Sequence, residues 1–323
     1  MPKSDPQPHP ITLQSRIPND AKGLSLLAFL SQRFRYLDRA GWLDELRDGR
    51  IALNGQRATG DEQLRGGMKL RYEKLHREPQ VSLDYHVLHQ DASLLAINKP
   101  AHLPMHADGP FIRNTLIYRL REQFGEDLQL VHRLDRETSG VCMVAANKVA
   151  QAAVQAQFSP SAPGHGVRKV YLAVVHGILD QPMRCEQPIG HKHGREVTLR
   201  RSAASDAEQA KTACTVLEPV RHGPNKTLVR CLPETGRTHQ IRVHLEQAGY
   251  PVVGDKLYGH PDSHYLAFVA RMKAGRSVFE DTADAPNRHL LHAHQIYLRH
   301  PESDLEQCYE APIPKEFEPW LLS

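Results

Sequence analysis

In His132-Arg133-Leu134-Asp135-Arg136-Glu137-Thr138-Ser139-Gly140 one short carboxylate stands between two arginines, in a loop leading into the apolar run Val141-Cys142-Met143-Val144-Ala145. An acid held between cations stays ionised at neutral pH, which suits Asp135 to nucleophile or base chemistry. Taken alone, an acid flanked by arginines is more often a surface ion pair, since such pairs are abundant and weak. Two further segments carry candidate chemistry. Arg168-Lys169-Val170-Tyr171 opens a strand-like run to Val175, where alternation gives the Tyr171 ring to one face of a sheet. Gly236-Arg237-Thr238-His239-Gln240-Ile241-Arg242 reads as a helix start, with a cap-like Thr238, a terminating Gly249, and His239 and Arg242 on one face.

The elements that must position these residues follow from pattern. A chain of 323 residues exceeds the usual single core and predicts roughly two domains. With 40% apolar and 24% charged residues it is globular, and no apolar run approaches the ~18 residues that span a bilayer. Residues 1–19, rich in proline and without an apolar signal core, read as a disordered cytoplasmic tail. His76-Arg77-Glu78-Pro79-Gln80 interrupts the periodic pattern, so residues 76–82 are expected to be a linker. Upstream of it, over residues 20–75, Leu26, Leu27, Leu30 and Phe34 recur at helical spacing. A second helix is expected from an Asp38 cap to Gly49. Asn54-Gly55 predicts a hairpin turn between Ile51-Ala52-Leu53 and Gln56-Arg57-Ala58, and Met68 to Tyr72 a further strand. Downstream, Leu94 to Asn98 reads as a buried strand ended by Lys99-Pro100.

Five cysteines in no close pair argue against a disulfide framework or a zinc knuckle, and are expected to be buried and reduced. Of the 20 histidines, His191-Lys192-His193 and His292-Ala293-His294 have alternate spacing, but no third ligand with suitable spacing joins them, so no metal is expected. The formal net charge of +4 is mild. Its distribution is more telling, because cations gather in Arg184–Arg201 and Arg221–His244, as on a surface facing phosphates or simply facing water.

The nonamer around Asp135, with Arg168-Lys169-Val170-Tyr171 and the Gly236–Arg242 segment in the same order, resembles the three motifs of RluA-type pseudouridine synthases, enzymes that isomerise uridine within RNA. Leu94 to His106, Gly254-Asp255-Lys256-Leu257-Tyr258-Gly259 and Leu290 to His294 also resemble stretches of that family. The resemblance implies an α+β catalytic fold over residues 83–323, with a mixed, mostly antiparallel central sheet flanked by helices and loops. It implies Asp135 as catalytic carboxylate and Arg242 as its ion-pair partner. Tyr171 would stack on the target uracil and help remove the proton from carbon five. Arg133 would fill the space of an extruded uridine, with His132, Arg136 and His239 as further substrate contacts; read from the residues alone, Arg136 and Glu137 belong to a charged turn and are structural. Residues 20–75, with Arg47-Asp48-Gly49-Arg50 and Asn54-Gly55, resemble the alpha-L (ribosomal S4-like) RNA-binding module.

Isomerising uridine neither gains nor loses an atom, so no cofactor is expected. The implied partner is ribosomal or transfer RNA, with no membrane and no obligate protein partner, and the protein is expected to be a cytoplasmic monomer. Asp135 could add covalently to sugar or uracil, stabilise positive charge at the anomeric carbon, or abstract a ribose proton. A non-catalytic RNA-binding or ribosome-assembly protein would keep the cations but has no use for Asp135, Tyr171 and Arg242 together. A small-molecule glycosidase would ordinarily want a second acid, and none presents itself.

Overall fold

The computed structural model describes residues 8–159, 166–191, 196–203, 207–273, 282 and 285–323. The chain divides between Glu78 and Pro79 into two units, each built on its own apolar core. The first unit holds β1 (His9–Arg16), α1 (Leu26–Arg33), α2 (Arg39–Arg47), β2 (Ile51–Leu53), β3 (Gln56–Arg57) and β4 (Lys69–His76), with the strands in the order β1-β4-β2-β3. Ser25 and Asp38 cap the helices by accepting the N–H groups of Ala28 and Gly41. Asn54 and Gly55 both take positive φ, as a two-residue hairpin turn of this hand requires, and β2 pairs with β3 across them. Trp42 is fully buried in a core with Leu26, Leu30 and Ile51.

From residue 8 onward the start of the chain is not a disordered tail; residues 1–7 lie outside the described residues. His9 to Arg16 pair residue for residue with His76 to Lys69. An edge strand tolerates Pro10, whose missing N–H would break an interior ladder, and Ile11-Thr12-Leu13 supplies strand-forming side chains.

The second unit runs through β5 (His86–Gln90), β6 (Leu94–Lys99), α3 (Leu116–Phe124), β7 (Gln129–Leu130), β8 (Ser139–Ala145), α4 (Lys148–Ala156) and β9 (Arg168–His176). It continues through β10 (Met183–Cys185), β11 (Ile189–His191), β12 (Arg201–Ala203), β13 (Glu208–Lys211), β14 (Thr215–His222), β15 (Lys226–Pro233) and α5 (Gln240–Gln247). It ends with α6 (Asp262–Lys273), β16 (Leu291–Arg299), β17 (Glu306–Glu310) and α7 (Phe317–Leu322). Ten strands form one sheet along the path β10-β14-β15-β9-β16-β8-β6-β5, with β17 beside β16 and β7 beside β8. Every neighbouring pair is antiparallel except β8 with β16, so the sheet is mixed and mostly antiparallel. β11, β12 and β13 make a small separate sheet.

All seven residues of β8 are buried, which explains its continuous apolar reading. Lys99, Gly140, Ala293, Tyr171 and Cys231 stand side by side across five adjacent strands. That row ties the end of the Asp135 loop to Tyr171. It also needs a glycine at its centre: Gly140 has φ +111°, and a Cβ there would lie 2.1 Å from the Ala293 carbonyl oxygen.

The five cysteines are free thiols, but only Cys142, Cys185 and Cys231 are buried; Cys214 is half-buried and Cys308 is exposed on β17. No helix among the described residues is long and apolar enough to cross a membrane.

Candidate active site

Asp135 lies in the loop between β7 and β8, which is pinned from both sides. Upstream, His132 Nε2 accepts the Met143 N–H at 2.9 Å, and its ring stacks on Phe158. Burial pushes His132 down to about 4, so the ring is neutral and its acceptor role is consistent with its charge state. Downstream, the Thr138 N–H donates to the Asp135 carbonyl, Thr138 Oγ1 meets His289 Nε2, and Ser139 Oγ meets His292 Nδ1, both at 2.8 Å. Thr138 and Ser139 therefore fix the loop largely through two buried histidines.

The arginines adjacent to Asp135 in sequence are not its partners in space. Arg136 donates to Glu137 Oε1 at 3.0 Å, while Arg133 is exposed. The cation on Asp135 is Arg242, whose Nη1 donates to Asp135 Oδ2 at 2.8 Å from α5. The other side of the same guanidinium grips Asp255: Nε donates at 2.6 Å and Nη2 at 2.9 Å. Asp255 is fully buried and also accepts the N–H groups of Leu257 and Tyr258, so it is a rigid anchor. One planar fork thus spans two carboxylates, a geometry open to arginine and closed to lysine. The Tyr258 ring lies 4.9 Å from the Arg242 guanidinium carbon.

Burial alone would raise the Asp135 carboxyl, but the charges of His239 and Arg242 outweigh it and hold the acid well below the usual carboxylate range. His239 is itself pushed down to about 4 by burial, so at neutral pH the positive charge facing Asp135 is that of Arg242. Burial opposes the charge on Arg242 too; Asp255 and then Asp135 more than offset it and keep the guanidinium protonated. Asp255 is held at about 2 because Arg242 outweighs its own burial.

The helix carrying Arg242 starts later than a Thr238 cap implies. α5 begins at Gln240, preceded by His239 in the left-handed region with φ 60°. No side chain caps it; Gln240 instead ties down the preceding turn, its Oε1 accepting the Arg237 N–H and the Thr235 hydroxyl while Nε2 donates to the Cys214 carbonyl. A non-glycine residue at positive φ is strained. Here it turns His239 so that Nδ1 meets the Tyr258 hydroxyl at 2.8 Å and Nε2 stands 3.9 Å from Asp135.

A cavity of about 310 Å³ opens over this arrangement, within the size range of small-ligand sites. Asp135, Tyr171, Arg242, His239, His132 and Arg133 all line it. Arg136 does not, and lines a neighbouring cavity instead. Burial and then the Asp135 charge push the Tyr171 phenol above its ordinary range, so the resting tyrosine is protonated. Lys169, two residues earlier on β9, lines the same cavity, donates to the Thr235 carbonyl, and is lowered to about 8 by burial.

Sequence reasoning passed over Asp255 as a functional residue, although it stands in a segment noted for its family likeness. An acid directly after the apolar Val252-Val253-Gly254 was the available signal, since a carboxylate buried there requires a cation. Glu137 is likewise buried and engaged by Lys256, Arg136 and the His289 N–H. Both acids are engaged by cations, Asp255 by Arg242 and Glu137 by Lys256 and Arg136. The basic stretches are also less open than their composition suggests: Arg184 pairs with Glu186 and Glu234, Arg200 with Glu246 and Asp262, Arg221 with Glu318, and Arg230 with Glu218. His193 lies outside the described residues. His292 Nε2 and His294 Nδ1 both face the Ala311 carbonyl oxygen.

A family model described as RNA pseudouridylate synthase matches residues 93–247. The chain is 31% identical over 295 residues to an uncharacterised RNA pseudouridine synthase of Synechocystis sp., spanning 90% of this chain and 94% of that one. It is 32% identical over 320 residues to ribosomal large subunit pseudouridine synthase D of Xanthomonas campestris, spanning 94% and 90%. Among solved structures, human RNA pseudouridylate synthase domain containing 1 is similar with a TM-score of 0.54 and 26% identity, over 74% of this chain and 86% of that one. The chain belongs to the RluA-type family of RNA pseudouridine synthases. It is therefore an RNA-modifying isomerase, and the reading as a non-catalytic RNA-binding protein falls away.

Proposed function

We propose that this chain converts a uridine of large-subunit ribosomal RNA to pseudouridine, with Asp135 as the catalytic carboxylate acting on an extruded nucleoside. One observation carries the reading: an ionised acid, clamped by Arg242, faces a nucleoside-sized cavity that Tyr171 also lines. The bond from ribose C1′ to uracil N1 breaks, the base turns within the cavity, and C5 joins C1′. The proton lost from C5 is balanced by one gained at N1. Asp135 acts at the sugar or base while Arg242 keeps it charged and aimed. His239 and His132 complete the wall beside the base. Arg133, exposed at the cavity, takes the space the uridine leaves. The choice of ribosomal over transfer RNA rests on the relatives named for the large ribosomal subunit.

The unit ending at Glu78 is proposed to act as an alpha-L-like RNA-binding module, supported by the exposed Arg33, Arg35 and Arg39 around the α1–α2 turn. A site completed by one chain supports a monomer, and an RNA substrate of this kind supports a cytoplasmic enzyme.

The test is a pseudouridine map of total RNA from cells with and without this chain. We expect one or a few positions in large-subunit ribosomal RNA to depend on it. Loss confined to transfer RNA would change the target, and an unchanged map would overturn the proposal. The role of Tyr171 separates by substitution. A resting phenol raised by burial is a hydrogen-bond donor and a stacking surface, so Tyr171→Phe keeps the stack and loses the hydroxyl. We expect kcat to fall at least about tenfold with KM near wild type, whereas Tyr171→Leu also raises KM. Wild-type kcat in Tyr171→Phe would remove the hydroxyl from the reaction.

A further inference from the structure

A second cavity of about 270 Å³ adjoins the first and shares Arg133, Leu134, Asp135, His239 and Arg242 with it. Its far walls are unlike the first. One is the turn at Asp108–Phe111, closed by reciprocal backbone hydrogen bonds between those two residues. The other is α6, where Tyr265, Phe268 and Met272 recur at the spacing that places them on one helix face, and all three line the cavity. Between the walls, the Arg136 guanidinium carbon lies 5.9 Å from the centres of both the Phe111 and Phe268 rings, and Lys256 Nζ lies 5.3 Å from that of Phe268. Glu137, the acid beneath, is already neutralised by Lys256 and Arg136. None of these groups lines the first cavity.

Aromatic faces backed by cations are the surface on which single-stranded nucleic acid stacks, ring on base and cation near phosphate. Arg133 borders both cavities, so a strand threading past it has a route from one to the other. We propose that this second cavity binds the base of the nucleotide next to the target uridine, stacked against Phe268, and so helps select the RNA sequence that is modified. The inference rests on the reading of Asp135 as the site of uridine isomerisation and adds a second base contact to it.

The experiment uses the full chain and a short RNA stem-loop bearing the uridine whose modification depends on this enzyme in cells. In separate RNAs, the base 5′ or the base 3′ to that uridine is replaced by an abasic ribose. With wild-type enzyme, one abasic RNA is expected to lose roughly tenfold in kcat/KM, the scale of one lost base stack. Phe268→Ala is expected to lose a similar factor on the intact RNA and nothing further on that abasic RNA, and Phe268→Trp to restore the dependence. A thermal melt checks folding. If Phe268→Ala is unfolded, Phe268→Leu, which keeps bulk without the ring, replaces it with the same expectation. Losses that multiply, or a Phe268 variant equal to wild type on intact RNA, would overturn the second contact and leave α6 a structural wall. An Asp135→Asn enzyme that modifies the intact RNA at the wild-type rate sinks the reading of Asp135 instead.

Discussion

Asp135→Asn is expected to fold, bind RNA, and make pseudouridine more than about a thousandfold more slowly than wild type. The fold survives because Arg242 keeps its two-pronged pair with the buried Asp255, so no buried charge is orphaned when the second carboxylate becomes an amide. The asparagine oxygen still accepts from Arg242 Nη1. What disappears is the negative charge in the cavity, and with it nucleophilic, electrostatic and basic action alike. A thousandfold corresponds to about 4 kcal/mol of lost transition-state stabilisation, which is modest for removal of a principal catalytic group. Asp135→Glu keeps the charge and shifts it by one methylene, so a loss of about a hundredfold is expected from misplacement alone. Single-turnover assays on a modified RNA, with binding measured in parallel, check both. A rate for Asp135→Asn within tenfold of wild type would remove the aspartate from the chemistry.

The sequence made some of this legible and hid the rest for identifiable reasons. Local patterns carried over well: the Asn54-Gly55 turn, the Asp38 cap and the buried strand at Leu94 all depend on neighbours a few residues apart. The pairing of Asp135 with Arg242 spans 107 residues, and no spacing rule reaches that far; only likeness to a family joined them. Charge adjacent in sequence was a poor guide to charge adjacent in space, since Arg136 turns to Glu137 and Met272 while α5 delivers the cation that matters. Capping misled in the same way. Thr238 has the right residue type, but the helix starts after His239 with no side-chain cap, and Gln240 holds the turn before it through the Arg237 N–H. Asp255 was hidden because a buried acid looks like any other until its partner is located. Within the basic stretches that read as a possible phosphate surface, Arg184, Arg200, Arg221 and Arg230 among the described residues are engaged in intramolecular pairs.

Arg242→Lys is the sharper test of how the site works, because it preserves charge and removes shape. An ammonium on the same backbone position has one nitrogen where the guanidinium uses three, so it can serve Asp255 or Asp135 but not both. Asp255 has no exposed surface, whereas the Asp135 side chain is 21% exposed to the cavity, so the stronger demand for a counter-charge is at Asp255. Asp135 is then left in a partly buried place with its cation displaced, and its carboxyl climbs from the depressed position that Arg242 imposes. Turnover is expected to fall by about a hundredfold with little change in RNA affinity. The pH profile moves in a defined direction: reaction through the ionised acid keeps the wild type free of an Asp135 acid limb through the ordinary carboxylate range. In the variant activity is lost as pH falls through the raised value and regained as pH rises. Folding stability declines by about 1–3 kcal/mol as the bidentate contact to Asp255 is reduced to one hydrogen bond. Thermal denaturation and kcat measured between about pH 3.5 and 8, a window that reaches down through ordinary carboxylate titration, check all three outcomes. An Arg242→Lys enzyme with wild-type kcat and an unchanged acid limb would mean that Asp135 does not need the fork to be ionised and aimed.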